Sequence, residues 1–227
     1  MVMRHVIFDC DGVLIDSEPL SMQIDVELLA QHGVVMSLEE AHRRFVGHTF
    51  EAMVESVARE TGIRFPADLS AQKDKRLMQL FERDLKAVDG VADVLRILDA
   101  KPGIASNSPR GRIVGALELT GLTPFFGDRI ATFEDVARPK PAPDVFLAAA
   151  ARAGTVPELC IVVEDSATGV SAAKAAGCHV LGFTGTHAGP AKHAVLLDEA
   201  GADAVFETMA ELPALLPDFV KPRKGKL

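Results

Sequence analysis

The sequence predicts an α/β fold, a parallel sheet with helices on both faces, interrupted once by a helical insertion. Three observations predict it. Short, apolar, β-branched runs recur along the chain, helical patterns of about a dozen residues separate them, and one long interval holds helical periods only. The opening run, Met3 to Phe8, ends at a polar turn containing Gly12, as a buried parallel strand does. Matching runs follow at Gly103–Ser106, Arg129–Phe133, Cys160–Val163, His179–Phe183 and Ala204–Phe206. From Ser17 to Leu85 there is no strand candidate: Gly33 can end a first helix, Ser37-Leu38-Glu39-Glu40 has the form of a capping box, and Pro66 precedes a helical stretch over Ala67–Leu85. Asp89-Gly90 marks the return. The expected organisation is a Rossmann-like core over residues 1–16 and 86–227 with a helical domain over 17–85.

Composition narrows the function. The 227 residues are 48% hydrophobic and 25% charged, which excludes disordered, collagenous and coiled-coil chains. A net charge of −8 repels phosphate backbones and anionic lipid, so neither nucleic acid nor a membrane is an expected partner. No apolar stretch reaches the roughly 18 residues of a membrane span, and Met1–Phe8 is too short for a secretory segment before Asp9 and Asp11, so a cytoplasmic protein is expected. Cys10, Cys160 and Cys178 are widely spaced and form no CxxC pair, which points to core residues rather than disulfides or a zinc site. The basic end, Lys221 to Lys226, reads as a solvated tail.

Ligands of an open parallel sheet bind beyond the carboxyl ends of its strands, so the polar residues just after each apolar run are the ones to collect. They are Asp9, Asp11 and Gly12 after the first run, Ser106, Asn107 and Ser108 after the second, Lys140 beyond Phe133, and Glu164, Asp165 and Ser166 after the fourth. Any one alone could be a helix cap or a turn residue. Together they bring four carboxylates to one end of the sheet, where two unit charges about 4 Å apart repel by about 4 kcal/mol at an effective dielectric of about 20. A cation is required, and an all-oxygen donor set with no His or Cys favours Mg²⁺ over zinc or copper. Ser106, Asn107 and Lys140 are donors suited to an anion of several oxygens, such as a phosphoryl group.

The run DCDGVLIDSE (Asp9 to Glu18) resembles the first signature of the haloacid dehalogenase-like phosphohydrolases. IASNS (Ile104–Ser108), RPKPAPDVF (Arg138–Phe146) and VVEDSATGV (Val162–Val170) resemble the second, third and fourth. The resemblance implies that Asp9 is the nucleophile, that Asp11 is the acid and then the base, and that Ser106 and Lys140 bind the phosphoryl group. Gly12 and Asn107 would present groups to the same oxygens. Asp9, the carbonyl of Asp11, Asp165 and, through a bound water, Glu164 would serve Mg²⁺. It also implies that the 17–85 insertion is a mobile cap, whose polar turn at Arg43, Arg44, Gly47, His48 and Thr49 could read the substrate, with Gly47 and His48 as the binding candidates.

The expected activity is release of phosphate from a small phosphorylated metabolite, a sugar or sugar-acid phosphate, by a monomer or weak homo-oligomer. Within the family the chain resembles β-phosphoglucomutase-like and 6-phosphogluconate phosphatase-like proteins. A mutase of that type carries a His after the first signature and basic residues around the cap glycine, where this chain has Ser21, Val46 and Phe50. A dehalogenase lacks the second Asp, here Asp11. A non-catalytic binding protein would show a damaged nucleophile or metal site, and none is damaged here.

Overall fold

The computed structural model describes residues 5–45, 49–187 and 189–220. The chain runs β1 (His5–Phe8), α1 (Glu18–Gln31), α2 (Leu38–Phe45), α3 (Phe50–Thr61), α4 (Leu69–Asp84), α5 (Val91–Ile97), β2 (Gly103–Ser106), α6 (Arg110–Leu119), α7 (Thr123–Phe126) and β3 (Ile130–Thr132). It continues with α8 (Asp144–Arg152), β4 (Cys160–Glu164), α9 (Ala167–Ala176), β5 (His179–Phe183), α10 (Pro190–Glu199), β6 (Ala204–Phe206) and α11 (Leu212–Leu215). The strands form one parallel sheet in the order β3-β2-β1-β4-β5-β6. Every residue of β1, β2, β3 and β4 is buried, which is why those strands read as continuous apolar runs rather than alternating ones.

The strand boundaries differ from the sequence reading for local reasons. Met3 and Arg4 lie outside the described residues. Phe133 leaves β3 because Thr132 turns the chain: its hydroxyl accepts from the Glu134 N–H while the Asp135 carboxylate accepts from the Thr132 N–H at 2.8 Å. Strand β4 runs one residue further than expected, carrying Glu164.

The chain separates into two compact units, Met1–Asp16 with Lys86–Leu227, and Ser17–Leu85. In the first, Ile7, Val162 and Val180 of the sheet pack with Val145 and Phe146 of α8 and Val170 of α9. Full burial of side chains of this size contributes about 1.5–3 kcal/mol each. Cys10, Cys160 and Cys178 are buried and free.

The helical unit has its own core of Met22, Leu29, Met36, Ala41, Phe45, Met53 and Val57. Its helices begin and end as local chemistry dictates. The Ser37 hydroxyl accepts from the Glu40 N–H at 3.1 Å, and the Thr49 hydroxyl caps α3 by accepting from Ala52 at 3.2 Å. Helix α4 starts at Leu69, two residues later than Pro66 suggested. Inside the unit Lys73 Nζ lies 2.8 Å from Asp25 Oδ1. No helix among the described residues is long and apolar enough to cross a membrane. The Lys221–Lys226 tail lies outside the described residues.

Candidate active site

Strand order decides where chemistry can gather. With β1 central and its neighbours β2 and β4 leading away in opposite directions, the carboxyl ends of these three strands are where such a sheet binds ligands. Register supplies the contents. Phe8 pairs with Ile104 on one side and Val163 on the other, so one step further along each strand Asp9 comes level with Glu164, and Ser106 ends β2 beside them. The Asp9 N–H donates to Val163 O at 2.9 Å, fixing the backbone from which its carboxylate projects.

Lys140 enters from the segment after β3, 131 residues from Asp9, and its buried ammonium donates to Asp9 Oδ1 at 2.7 Å and to Glu164 Oε1 at 2.6 Å. Its backbone is held by Asn107, whose Oδ1 accepts from the Lys140 N–H at 3.0 Å and whose Nδ2 donates to Lys140 O at 3.2 Å. The Asn107 carboxamide, expected on the anion itself, is therefore occupied in placing Lys140.

The other Glu164 oxygen accepts from Ser166 N–H at 2.8 Å and Ser166 Oγ at 3.0 Å. The carboxylate presses on the first turn of α9, where a Cβ at Gly169 would sit 1.7 Å from Oε1; only glycine permits the approach.

Asp9, Glu164 and Asp165 each offer a carboxylate oxygen within 4.8 Å of the others, and all three are buried. Burial pushes the Asp9 carboxyl well above its ordinary range, against the pull of Lys140, and the charges of Glu164 and Asp165 push it further. Burial alone would lower the Lys140 ammonium, but the Asp9 and Glu164 carboxylates outweigh it and hold it above its usual value. Three carboxylates facing one ammonium leave the charge of a divalent cation to be supplied, and hard oxygen donors suit Mg²⁺. The residues fit that ion.

Asp11 does not bring its carboxylate to this group. Its Oδ2 accepts from Ser108 Oγ at 2.5 Å and from the Arg112 guanidinium at 3.1 Å, and Arg112 also donates to Ser108 Oγ. Ser106 is buried, and its hydroxyl accepts from the Ser108 N–H at 3.1 Å. Gly12, expected at the phosphoryl oxygens, spends its N–H on Ile15 O at 2.9 Å, while its carbonyl accepts from Thr186 Oγ1 at 2.8 Å. Its part here is space: with φ at +77°, a Cβ would fall 2.0 Å from Asp165 Oδ2.

Two features escaped the sequence reading. Arg112, on α6, holds Asp11, and nothing in its local sequence separates it from a surface arginine. The expectation that no His accompanies the carboxylates is overturned, since His187 Nε2 lies 2.8 Å from Asp165 Oδ2 and His193 Nε2 bonds Asp165 O. Burial pushes the His193 imidazole below its ordinary value. Of the expected substrate-reading turn, Gly47 and His48 lie outside the described residues. Arg44 is paired with Glu60 at 2.5 Å and Glu40 at 3.4 Å, and the Thr49 hydroxyl is used in capping.

Comparison with known proteins follows the same lines. The family described as haloacid dehalogenase-like hydrolase matches residues 3–177. The 6-phosphogluconate phosphatase of Escherichia coli is 29% identical over 80% of this chain and 82% of its own length. The phosphoglycolate phosphatase of the same organism is 32% identical over 94% of this chain and 92% of its own. A crystal structure of a family hydrolase from Deinococcus radiodurans, with bound phosphate and sodium, superposes with a TM-score of 0.80 at 35% identity, covering 97% of this chain and 98% of that one.

Proposed function

The chain belongs to the haloacid dehalogenase-like hydrolases, and from that membership we propose that it is a Mg²⁺-dependent phosphatase of a small phosphorylated metabolite, a sugar or sugar-acid phosphate, acting through an aspartyl phosphate on Asp9. The observation that carries the reading is the buried Lys140 ammonium bridging Asp9 and Glu164 beside Asp165. An ammonium there restrains the nucleophile and offers charge to an incoming phosphoryl group. The phosphatase names of the two Escherichia coli relatives support the same class.

An Asp9 oxygen attacks phosphorus in line, forming the Asp9 O–P bond as the ester P–O bond breaks. Asp11, once protonated, gives its proton to the departing alkoxide and then, ionised, takes one from the water that attacks the aspartyl phosphate, returning Asp9 and releasing inorganic phosphate. Its contacts with Ser108 and Arg112 fix where that carboxyl waits. Asp9 and Asp165, with Glu164 nearby, would hold Mg²⁺, which would supply positive charge against the charge that builds on the transferring oxygens. Ser106 and Lys140 orient those oxygens, and the helical unit over 17–85 is assigned the selection of substrate.

The phosphomutase alternative must shield the aspartyl phosphate from water, and Ser21, Val46 and Phe50 supply neither an imidazole nor a cationic clamp; Phe50 is buried in the helical unit, and Val46 lies outside the described residues. The test is phosphate release from a panel of phosphorylated metabolites with Mg²⁺, with β-glucose 1-phosphate included. The reading expects turnover of at least one panel member and, from β-glucose 1-phosphate if accepted, glucose and phosphate. Glucose 6-phosphate as the main product would overturn it.

A further inference from the structure

We propose that His187 is the positioning residue of the cation site, holding the Asp165 carboxylate by an Nε2–H donor while His193 holds the same residue's backbone and stacks beneath it. The inference rests on the metal-dependent reading above and deepens it with residues that none of the four signatures contains.

Both imidazoles are buried and both address one residue. His187 Nε2 stands 2.8 Å from Asp165 Oδ2, with the two side chains 8% and 6% exposed. A carboxylate oxygen can only accept, so the contact is attractive only with the proton on His187 Nε2. His193 Nε2 meets Asp165 O, a carbonyl, and by the same argument also donates. The rings lie 3.6 Å apart at 16°, face to face, so His193 also fixes the plane in which His187 can present its N–H.

Gly12 packs against the same carboxylate, where a Cβ would fall 2.0 Å from Oδ2. Thr186, next to His187, ties this segment to the first turn by donating to Gly12 O at 2.8 Å. Asp165 is thus gripped at the carboxylate by His187 and at the main chain by His193, with the loop anchored to Gly12.

A carboxylate that must serve a cation in one orientation gains from such a grip. A freely rotating Asp165 would have to be ordered each time the ion bound, and outer hydrogen-bond partners of this kind are typically worth 10–100-fold in metal affinity. Glu164 already has an equivalent arrangement in Ser166 and Lys140. His187 gives Asp165 its counterpart from a segment that follows a different strand.

The experiment is direct titration of Mn²⁺, followed by its free-ion electron paramagnetic resonance signal, into the metal-stripped protein and two variants. His187→Phe keeps an aromatic ring for His193 to stack against and removes the donor; His187→Gln keeps a donor and removes the ring. The expected result is a 10–100-fold weaker Kd for His187→Phe and a Kd within a few-fold of wild type for His187→Gln. Equal Kd values for wild type and His187→Phe, or a loss in both variants alike, overturn the positioning role. Urea midpoints of the metal-free proteins separate a loosened fold from a lost donor: the proposal expects His187→Phe to keep its midpoint, and a fall that tracks the loss of affinity counts against it. Failure of the wild-type protein to bind Mn²⁺ or Mg²⁺ would instead sink the metal-dependent reading itself.

Discussion

Replacing Lys140 by Met removes one positive charge from a site that holds three carboxylates. Its Nζ lies 2.7 Å from Asp9 and 2.6 Å from Glu164, with the lysine side chain 4% exposed. At an effective dielectric of about 20, each contact corresponds to about 6 kcal/mol of gross attraction. Most of that offsets the desolvation of the ions. The net loss on removing one partner of a buried pair is about 3–5 kcal/mol, because the surviving charge stays buried. Against a total stability of about 5–15 kcal/mol for a folded protein, that is a large fraction.

The loss carries a pH signature. Burial already raises the Asp9 carboxyl, and without Lys140 to oppose it the folded-state value rises further. A carboxyl raised in the folded state contributes its stability below the unfolded value, near 4, and loses it as pH rises through the folded value. The gap between wild type and Lys140→Met should therefore widen as pH rises above the unfolded value. The chain has no Trp and no Tyr, so urea denaturation in chelator is followed by far-ultraviolet circular dichroism rather than intrinsic fluorescence. A gap below about 1 kcal/mol at pH 8, or one that does not change with pH, would refute the reasoning.

Two other perturbations follow from the same packing. Gly12→Ala forces an L side chain to φ +77°, at about 1–2 kcal/mol, and drives its Cβ into Asp165, so both the urea midpoint and the Mn²⁺ affinity should fall; unchanged metal affinity would show that Asp165 is not pressed against this turn. Burial, assisted by Arg129, lowers His5 to about 4. Between about pH 6.5 and 4 the unfolded chain then binds a proton that the folded chain refuses, and stability falls with pH by up to about 3 kcal/mol. His5→Asn should flatten that fall by more than about 1 kcal/mol between pH 7 and 4.5, and an unchanged slope would contradict the assignment.

The legibility of the sequence followed from geometry. Parallel strands buried on both faces leave unbroken apolar runs, and the residue after each run is set at the sheet's carboxyl end, so Asp9, Ser106, Glu164 and Asp165 could be collected by position alone. Lys140 was collected from the loop that follows Phe133 and again by its motif, although it stands well past the strand end. The contacts among these residues were not legible. Asn107 and Gly12 looked like donors to an anion, but the Asn107 carboxamide is taken up by the Lys140 backbone, the Gly12 N–H by Ile15 O and the Gly12 carbonyl by Thr186. Arg112 sits in the first turn of a helix, where nothing marks an arginine as functional. His187 stands four residues past the end of β5 and His193 lies within α10, beyond the reach of any rule that stops at the strand end. The segment folds back onto Asp165, which stands 22 residues before His187 and 28 before His193, and there both imidazoles meet it.

The central claim is that Asp9 carries the phosphoryl group between two displacements. Its most direct test is rapid acid quench of wild type, Asp9→Asn and Asp11→Asn after mixing with p-nitrophenyl phosphate and Mg²⁺, with mass analysis of the peptide that contains residue 9. The account predicts one phosphoryl group on Asp9 in wild type, a larger steady amount in Asp11→Asn, where the base that activates water is gone, and none in Asp9→Asn, which should release no phosphate. Phosphate release by Asp9→Asn at the wild-type rate, or a phosphoryl group found on a different residue, would contradict it.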